Sequence, residues 1–279
     1  MNNLSFCEPV WLASDIHLGP DNPRTSETFY RFLAHARNRA GALILLGDIF
    51  DVWIGDDWIR HPPPWLELAL HHLRETGQTL PMWILGGNRD FLIGDKLAHH
   101  LDARLIRDQC LLRITSHGKD KPSKHTVTQP DKKFLLAHGD EFCTEDLKYQ
   151  RFRRIVRNPA LQSCFMLLPL SLRTQIARRA RQTSQQTDRS PHDASYDVQD
   201  TALAMALQNS GAHCCIHGHT HRPGHFPVHT AQSGDLSRWV LPDWECDHHC
   251  GREPERGGWM EIDQSGLVLR GLIDLPARI

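Results

Sequence analysis

The chain has 279 residues, with 32 Lys and Arg against 33 Asp and Glu and a formal net charge of −1. That length allows one large domain or a core with an inserted unit, and the balanced charge excludes a polyanion binder that works by net charge alone. No stretch approaches the roughly 20 apolar residues that span a bilayer, and residues 1–9 are polar and lack the apolar run of an export signal.

In chain order, the first apolar run, Val10-Trp11-Leu12-Ala13-Ser14, leads into Asp15 and His17. A helix is expected over 26–39, with Ser26 as its cap. Ala42-Leu43-Ile44-Leu45-Leu46-Gly47 then leads into Asp48, and a second helix is expected over 65–75. Met82-Trp83-Ile84-Leu85-Gly86-Gly87 leads into Asn88 and Arg89. A polar insertion at 116–131 lengthens an expected hairpin and reads as a mobile loop. Phe134-Leu135-Leu136-Ala137 leads into His138. Helices are expected over 145–156, begun by Thr144 with Glu145 and Asp146, then over 161–168, 172–185 and 197–209. Cys214-Cys215-Ile216 leads into His217 and His219, and beyond His221 short strands are expected near 225–229, 238–241, 259–262 and 267–272.

Continuous apolar runs bounded by turn residues suit strands buried on both faces. Ligands gather at strand ends, where loops leave the core. The runs are therefore expected to form one sheet that presents Asp15, His17, Asp48, Asn88, His138, His217 and His219 at a common edge. Strand–helix alternation followed by a strand-only tail fits an α/β class, as a four-layer α/β/β/α sandwich.

Seven ligands are too many for one four-coordinate zinc and too rich in nitrogen for a calcium cage. They fit two divalent ions sharing a bridging carboxylate, for which Asp48 is the best placed. A mix of Asp, Asn and His without thiolate suits manganese, iron or zinc, with manganese favoured where carboxylate and amide oxygens contribute. Two such ions lower the pKa of a shared water and clamp the oxygens of an in-line displacement at phosphorus. Any one of these residues alone would be ordinary turn chemistry; their occurrence in concert, each after an apolar run, is what points to a metal centre.

Between the third and final ligand groups the composition changes. Residues 147–187 contain no Asp or Glu but carry Lys148, Arg151, Arg153, Arg154, Arg157, Arg173, Arg178, Arg179 and Arg181 around Cys164-Phe165-Met166-Leu167-Leu168-Pro169-Leu170. A solvated helical hairpin, a nucleic-acid patch, or a helical lid that buries acyl chains and touches an anionic membrane would each suit such a segment. The eight cysteines are not spaced as a disulfide frame and are expected to be reduced thiols in the cytoplasm. Cys246-Asp247-His248-His249-Cys250 could hold a structural zinc but lacks a partner pair, so a polar loop is the better expectation.

The ordered set Asp-X-His, Gly-Asp, Gly-Asn, His-Gly-Asp and Gly-His-X-His resembles the calcineurin-like metallophosphoesterase superfamily. Gly87-Asn88-Arg89-Asp90-Phe91-Leu92-Ile93-Gly94, His138-Gly139-Asp140, Cys143-Thr144-Glu145-Asp146, Tyr149-Gln150-Arg151-Phe152-Arg153, Val156-Arg157-Asn158-Pro159 and His217-Gly218-His219-Thr220-His221-Arg222-Pro223 resemble, more narrowly, its UDP-2,3-diacylglucosamine hydrolase family, over about 11–244. The resemblance implies a two-sheet sandwich with a dinuclear site at one edge. It puts Asp15, His17, Asp48 and His219 on one metal and Asp48, Asn88, His138 and His217 on the other. It implies hydrolysis of the pyrophosphate of UDP-2,3-diacylglucosamine by water at the α-phosphorus, with UMP and lipid X as products of a step in lipid A biosynthesis.

Asp48, Asn88 and Arg89 are the implied catalytic residues. Asn88, Arg89, Asp146, Tyr149, Ser184, Asp188 and His217 are the implied substrate contacts. Many relatives place His after the Gly-Asn pair; Arg89 instead offers a fixed fork for phosphate oxygens, and the plainer alternative is a surface pair with Asp90. The family pattern has an Asn and a Lys where Asp188 and Pro191 stand, and Arg189 could substitute. The resemblance also favours the lid, so residues 1–143 and 190–279 are expected to form the core and 144–189 an inserted helical lid. The partners implied are the nucleotide sugar and the inner-leaflet membrane surface, with no nucleic acid and no obligate protein partner. The implied location is the cytoplasmic face of the inner membrane. Another phosphodiesterase or phosphatase of the superfamily, or a non-catalytic scaffold of the same fold, is the alternative.

Overall fold

Successive strand residues point to opposite faces, so an unbroken apolar run can serve two cores at once. The structure, a computed structural model, describes residues 2–115, 132–186, 197–229, 235–248 and 254–276, the side chains of 181–186 excepted. In chain order it contains β1 (Asn2–Phe6), β2 (Val10–Ala13), α1 (Pro23–Arg39), β3 (Ala42–Leu46), α2 (Pro64–Thr79), β4 (Met82–Leu85), α3 (Asp95–His100), β5 (Ala103–Ile106), β6 (Cys110–Ile114) and β7 (Lys132–Leu136). The helices α4 (Leu147–Val156), α5 (Pro159–Met166), α6 (Leu170–Gln186) and α7 (Asp200–Ser210) follow. The chain closes with β8 (Cys214–His217), β9 (Gly224–Pro227), β10 (Ser237–Val240), β11 (Gly258–Ile262) and β12 (Leu267–Gly271).

The apolar runs divide between two sheets, not one. One six-stranded sheet has the order β12-β11-β2-β3-β4-β5, the other β1-β6-β7-β8-β10-β9. Val10, Leu12, Ile44, Leu46 and Leu85 face Cys110, Leu112, Phe134, Leu136 and Ile216 across the core between the sheets. The alternate residues Trp11, Leu43, Leu45 and Ile84 pack outward against Phe29, Phe32, Leu66 and Leu73 of α1 and α2. Leu135 and Cys215 pack outward against Leu203, Ala204 and Leu207 of α7. These three cores give the four α/β/β/α layers. A single sheet could not bury both faces of both sets of runs.

Several expected boundaries shift for local reasons. Helix α1 begins at Pro23 rather than at a Ser26 cap, because Pro suits the first helical position. Its early N–H groups are met from afar, Arg24 N and Thr25 N donating to Asp247 at 3.0 and 2.8 Å. Asp247, a candidate zinc-loop residue by sequence, is thus a cap supplied by the C-terminal segment. Its neighbour Cys246 is buried, with its thiol donating to the carbonyl of Arg256 at 3.8 Å, while His249 and Cys250 lie outside the described residues.

Helix α4 starts at Leu147, with Asp146 rather than Thr144 as its cap, accepting from Tyr149 N at 2.9 Å. Helices α5, α6 and α7 fall within a few residues of expectation, whereas β1, β5 and α3 have no counterpart among the expected elements. Strands β6 and β7 form the expected antiparallel hairpin, Ile114 opposite Lys132, around the 116–131 insertion, which lies outside the described residues.

The parallel strands β2, β3 and β4 stop at the same edge, and one buried side chain holds the loops that follow. Asp90 accepts from Asp48 N at 3.2 Å, Ile49 N at 2.7 Å, Phe50 N at 3.2 Å and Gly87 N at 2.7 Å. It does not pair with Arg89 at the surface; it ties the loop after β3 to the loop after β4. Asp90→Ala strips these buried N–H groups of their acceptor, so the free energy of unfolding is expected to fall by about 3 kcal/mol, measured as a lower urea midpoint.

Candidate metal centre

The expected ligands stand where strands end and the chain turns sharply. Asp15, His17, Asp48 and His219 have φ of 54°, 56°, 50° and 67°, and His221 has 52°. Left-handed backbone at a residue with a Cβ costs about 1 kcal/mol or more, so the surrounding structure holds these turns against their preference. Asp15 N donates to the carbonyl of Gly47 at 3.1 Å, and His17 N to that of Asp48 at 2.9 Å. Gly218 N donates to the carbonyl of His138 at 2.9 Å, which joins the loops of the second sheet in the same way. The crowding shows at Gly87, where a Cβ would lie 2.2 Å from Asp48 Oδ1.

Asp48 lies between the two groups of loops. Its Oδ1 is 3.6 Å from His138 Nε2, and its Oδ2 is 3.9 Å from His17 Nδ1 and 3.4 Å from Arg89 Nε. His138 donates from Nδ1 to the carbonyl of Leu46 at 2.9 Å, which turns Nε2 toward Asn88 Oδ1 at 2.9 Å. Asn88 Oδ1 is also 2.7 Å from His219 Nδ1. Asp15 accepts from Ser14 Oγ at 2.6 Å and from His219 N at 3.0 Å.

Two placements differ from the expected grouping. The ring beside Asp15 and His17 is that of His221, its Nε2 3.5 Å from Asp15 Oδ1 and 3.4 Å from His17 Nε2. His219, expected there, meets Asn88 and lies 5.3 Å ring to ring from His138. His217 is fully buried, with Nδ1 2.8 Å from the carbonyl of Gly218 and Nε2 3.5 Å from Arg238 Nη1. The signal for His221 in the sequence is its place as third histidine of an alternating stretch with His217 and His219. The backbone there is left-handed at His219 and His221, so the alternation names the candidate rings without fixing which partner each one meets.

Arg89 reaches the same edge, with Nη1 2.8 Å from Asp51 Oδ1. Tyr149 donates to Asp140 Oδ2 at 2.6 Å and lies 6.0 Å ring to ring from His219. Asp140, buried directly after the His138-Gly139 turn, also accepts from Arg153 Nε at 2.7 Å. Arg157, which directly follows α4, donates to the carbonyl of Gly87 at 3.1 Å. On the other side, Arg173 is buried and pairs with both oxygens of Asp57. Sequence reasoning assigns no docking role to Asp140, Arg157 or Arg173, since nothing local shows which loop they meet. Asp146 caps α4, while the side chain of Ser184 and the whole of Asp188 and Pro191 lie outside the described residues.

The electrostatics fit a cation. Burial would raise the Asp15 carboxyl, but His221, His138 and His17 hold it well below the usual carboxylate range. Burial raises Asp48 above its ordinary value against the pull of His138 and Arg89. Burial would depress His138, yet Asp48, Asp15 and Asp140 lift it to about 9. Burial takes His217 to about 4 and, with help from charged His138, His219 to about 3, so both rings are neutral at pH 7 and each has one unprotonated nitrogen. Carboxylate charge is thus met by protons on imidazoles, a task that divalent ions would perform with the same atoms as ligands. Two sets of donor atoms, Asp15 with His17 and His221 and Asp15 with Asp48 and His138, each lie within 4.8 Å of one another. Ligands bonded at about 2.1 Å to one ion sit roughly 3–4 Å apart.

The calcineurin-like phosphoesterase family matches residues 8–223. A UDP-2,3-diacylglucosamine hydrolase of Bordetella pertussis is 43% identical over 274 residues, covering 98% of this chain and 99% of its own. A protein of the same name from Chromobacterium violaceum is 38% identical over 260 residues, 92% of this chain and 96% of its own. One from Pseudomonas fluorescens is 34% identical over 263 residues, 93% and 94% of the two chains. With similarity that covers nearly the whole chain at 34–43% identity, the chain belongs to the UDP-2,3-diacylglucosamine hydrolase family of calcineurin-like phosphoesterases.

Proposed function

We propose that the chain is a metal-dependent hydrolase of lipid A biosynthesis that cleaves the pyrophosphate of UDP-2,3-diacylglucosamine. Water adds to the α-phosphorus, the bond to the bridging oxygen breaks, and lipid X departs from UMP. The observation that carries this function is the position of Asp48, whose two oxygens face ligand-type atoms on loops of both sheets. The near full-length similarity to hydrolases of that name supplies the substrate.

Asp15, His17, Asp48 and His219 would hold one divalent ion and Asp48, Asn88, His138 and His217 the other. His219 fits a place between the two, its N–H on Asp15 and its ring on Asn88. Ions held there lower the pKa of water and stabilise charge on phosphoryl oxygens; an oxygen-rich donor set with imidazole suits Mn2+. Arg89, oriented by Asp51 and Asp48, presents its remaining guanidinium edge to a phosphate. Tyr149 and Asp146 stand at the start of α4 on the approach to the site, where the sugar would be bound with Asn88, Ser184, Asp188 and His217.

The helical segment 144–189 would be the lid over the acyl chains. Its described surface exposes Leu147 at 75% and Leu167 at 85%, with Phe152, Ile155, Leu161, Leu172 and Ile176 also exposed. Such apolar surface amid arginine suits an anionic membrane face. No described helix is long and apolar enough to cross a membrane, so attachment would be peripheral.

Manganese-dependent release of UMP from UDP-2,3-diacylglucosamine is expected, with a loss of about a thousandfold or more in Asp48→Ala; faster turnover of bis-p-nitrophenyl phosphate would point to a general phosphodiesterase. In Arg89→Met, kcat is expected to drop about a hundredfold while two metal equivalents still bind, which steady-state kinetics and metal analysis would read. The pure protein is expected to sediment with vesicles rich in anionic phospholipid at low salt and to be released at high salt; indifference to vesicle charge would remove the membrane assignment.

A further inference from the structure

We propose that His221, oriented by Asp243 and Arg256, is a positioning residue for Asp15 and His17. This rests on the two-cation site proposed above and adds to it a bracing chain from the C-terminal segment.

On one side Asp15 Oδ2 accepts from Ser14 Oγ and from His219 N, which also reaches Oδ1 at 3.1 Å. Its other side faces His221 Nε2 at 3.5 Å, and the same nitrogen lies 3.4 Å from His17 Nε2. The His17 and His221 rings are 5.4 Å apart and tilted by 43°, so each limits the rotation of the other. The far nitrogen, His221 Nδ1, is 3.5 Å from Asp243 Oδ2. Asp243 is buried and is gripped by Arg256, with Nη2 at 2.9 Å and Nε at 3.3 Å. A ring held at both nitrogens is fixed in plane and in rotation.

The backbone closes the same circuit. Trp244, next to Asp243, donates its N–H to the carbonyl of Asp15 at 3.0 Å. Glu245 and Arg256 exchange backbone hydrogen bonds, each at 2.9 Å, which returns Arg256 to Asp243. One stretch of chain therefore braces both the main chain and the side chain of Asp15. Asp15, His17 and His221 all sit in left-handed backbone, which local preference does not maintain. Groups that orient metal ligands from behind change metal affinity by about 10–100-fold.

The test is calorimetric titration of Mn2+ into the metal-free full chain, with the melting temperature of each metal-free variant as a control. In Asp243→Asn and Arg256→Met, one of two equivalents is expected to weaken about tenfold or more while the other holds, with Arg256→Lys recovering part of the loss. Unchanged affinity at both equivalents, or an equal loss at both, overturns the proposal. If Asp243→Asn melts early, Arg256→Met decides, because the Arg256 side chain is 42% exposed and lies outside the three apolar cores. Wild-type protein that takes fewer than two equivalents would instead remove the two-cation site itself.

Discussion

Buried negative charge at a seam between two sheets is the constraint around which this protein is organised. Asp15 and Asp48 are almost wholly removed from water, and unmet charge in such a place is prohibitive. Every feature of the edge answers it. Imidazoles from both sheets surround the pair, Arg89 closes one rim, and the loops adopt left-handed turns that bring the side chains inward. Asp48, Asp15 and Asp140 lift His138 to about 9, so its imidazolium answers part of that charge. Divalent cations would meet the same charge through the same side chains, so a hydrolytic centre and a buried-charge problem can share one solution.

Holding that centre requires more than the ligands. Asp90 gathers backbone N–H groups from the loops after β3 and β4, fixing Asp48 and Asn88 relative to each other. Asp140 plays the corresponding part for the helices after β7: α4 is docked through Tyr149 and Arg153, and Arg157 reaches across to the loop that carries Asn88. Arg173 of α6 is buried against Asp57, on the loop between β3 and α2. The helical segment is thus anchored on either side of the metal edge, while its exposed leucines and isoleucines stay outside the three cores.

Much of this is legible without coordinates. Apolar runs ending in Asp, Asn or His mark strands and their ends because buried strands need continuous apolar sequence and functional groups need a loop to leave it. Those features are local, and so are the helices of the insert and the hairpin around 116–131. Helix starts are less legible: the sequence suggests a Ser26 cap where Pro23 and the distant Asp247 serve, since no local pattern announces an acceptor more than two hundred positions away.

What the sequence determined by itself was the inventory: which residue types stand at strand ends, in which order, and therefore which chemistry is available. What tertiary structure decided was the partnership. The runs divide between two sheets because alternate residues of each have to bury against different layers. The same packing brings His221 beside His17, sets Asp90 beneath the loops instead of on the surface, and carries Asp243 and Arg256 to the back of the site. Spacing along a chain constrains which atoms can meet within one element, whereas contacts between elements follow from how their buried faces fit together.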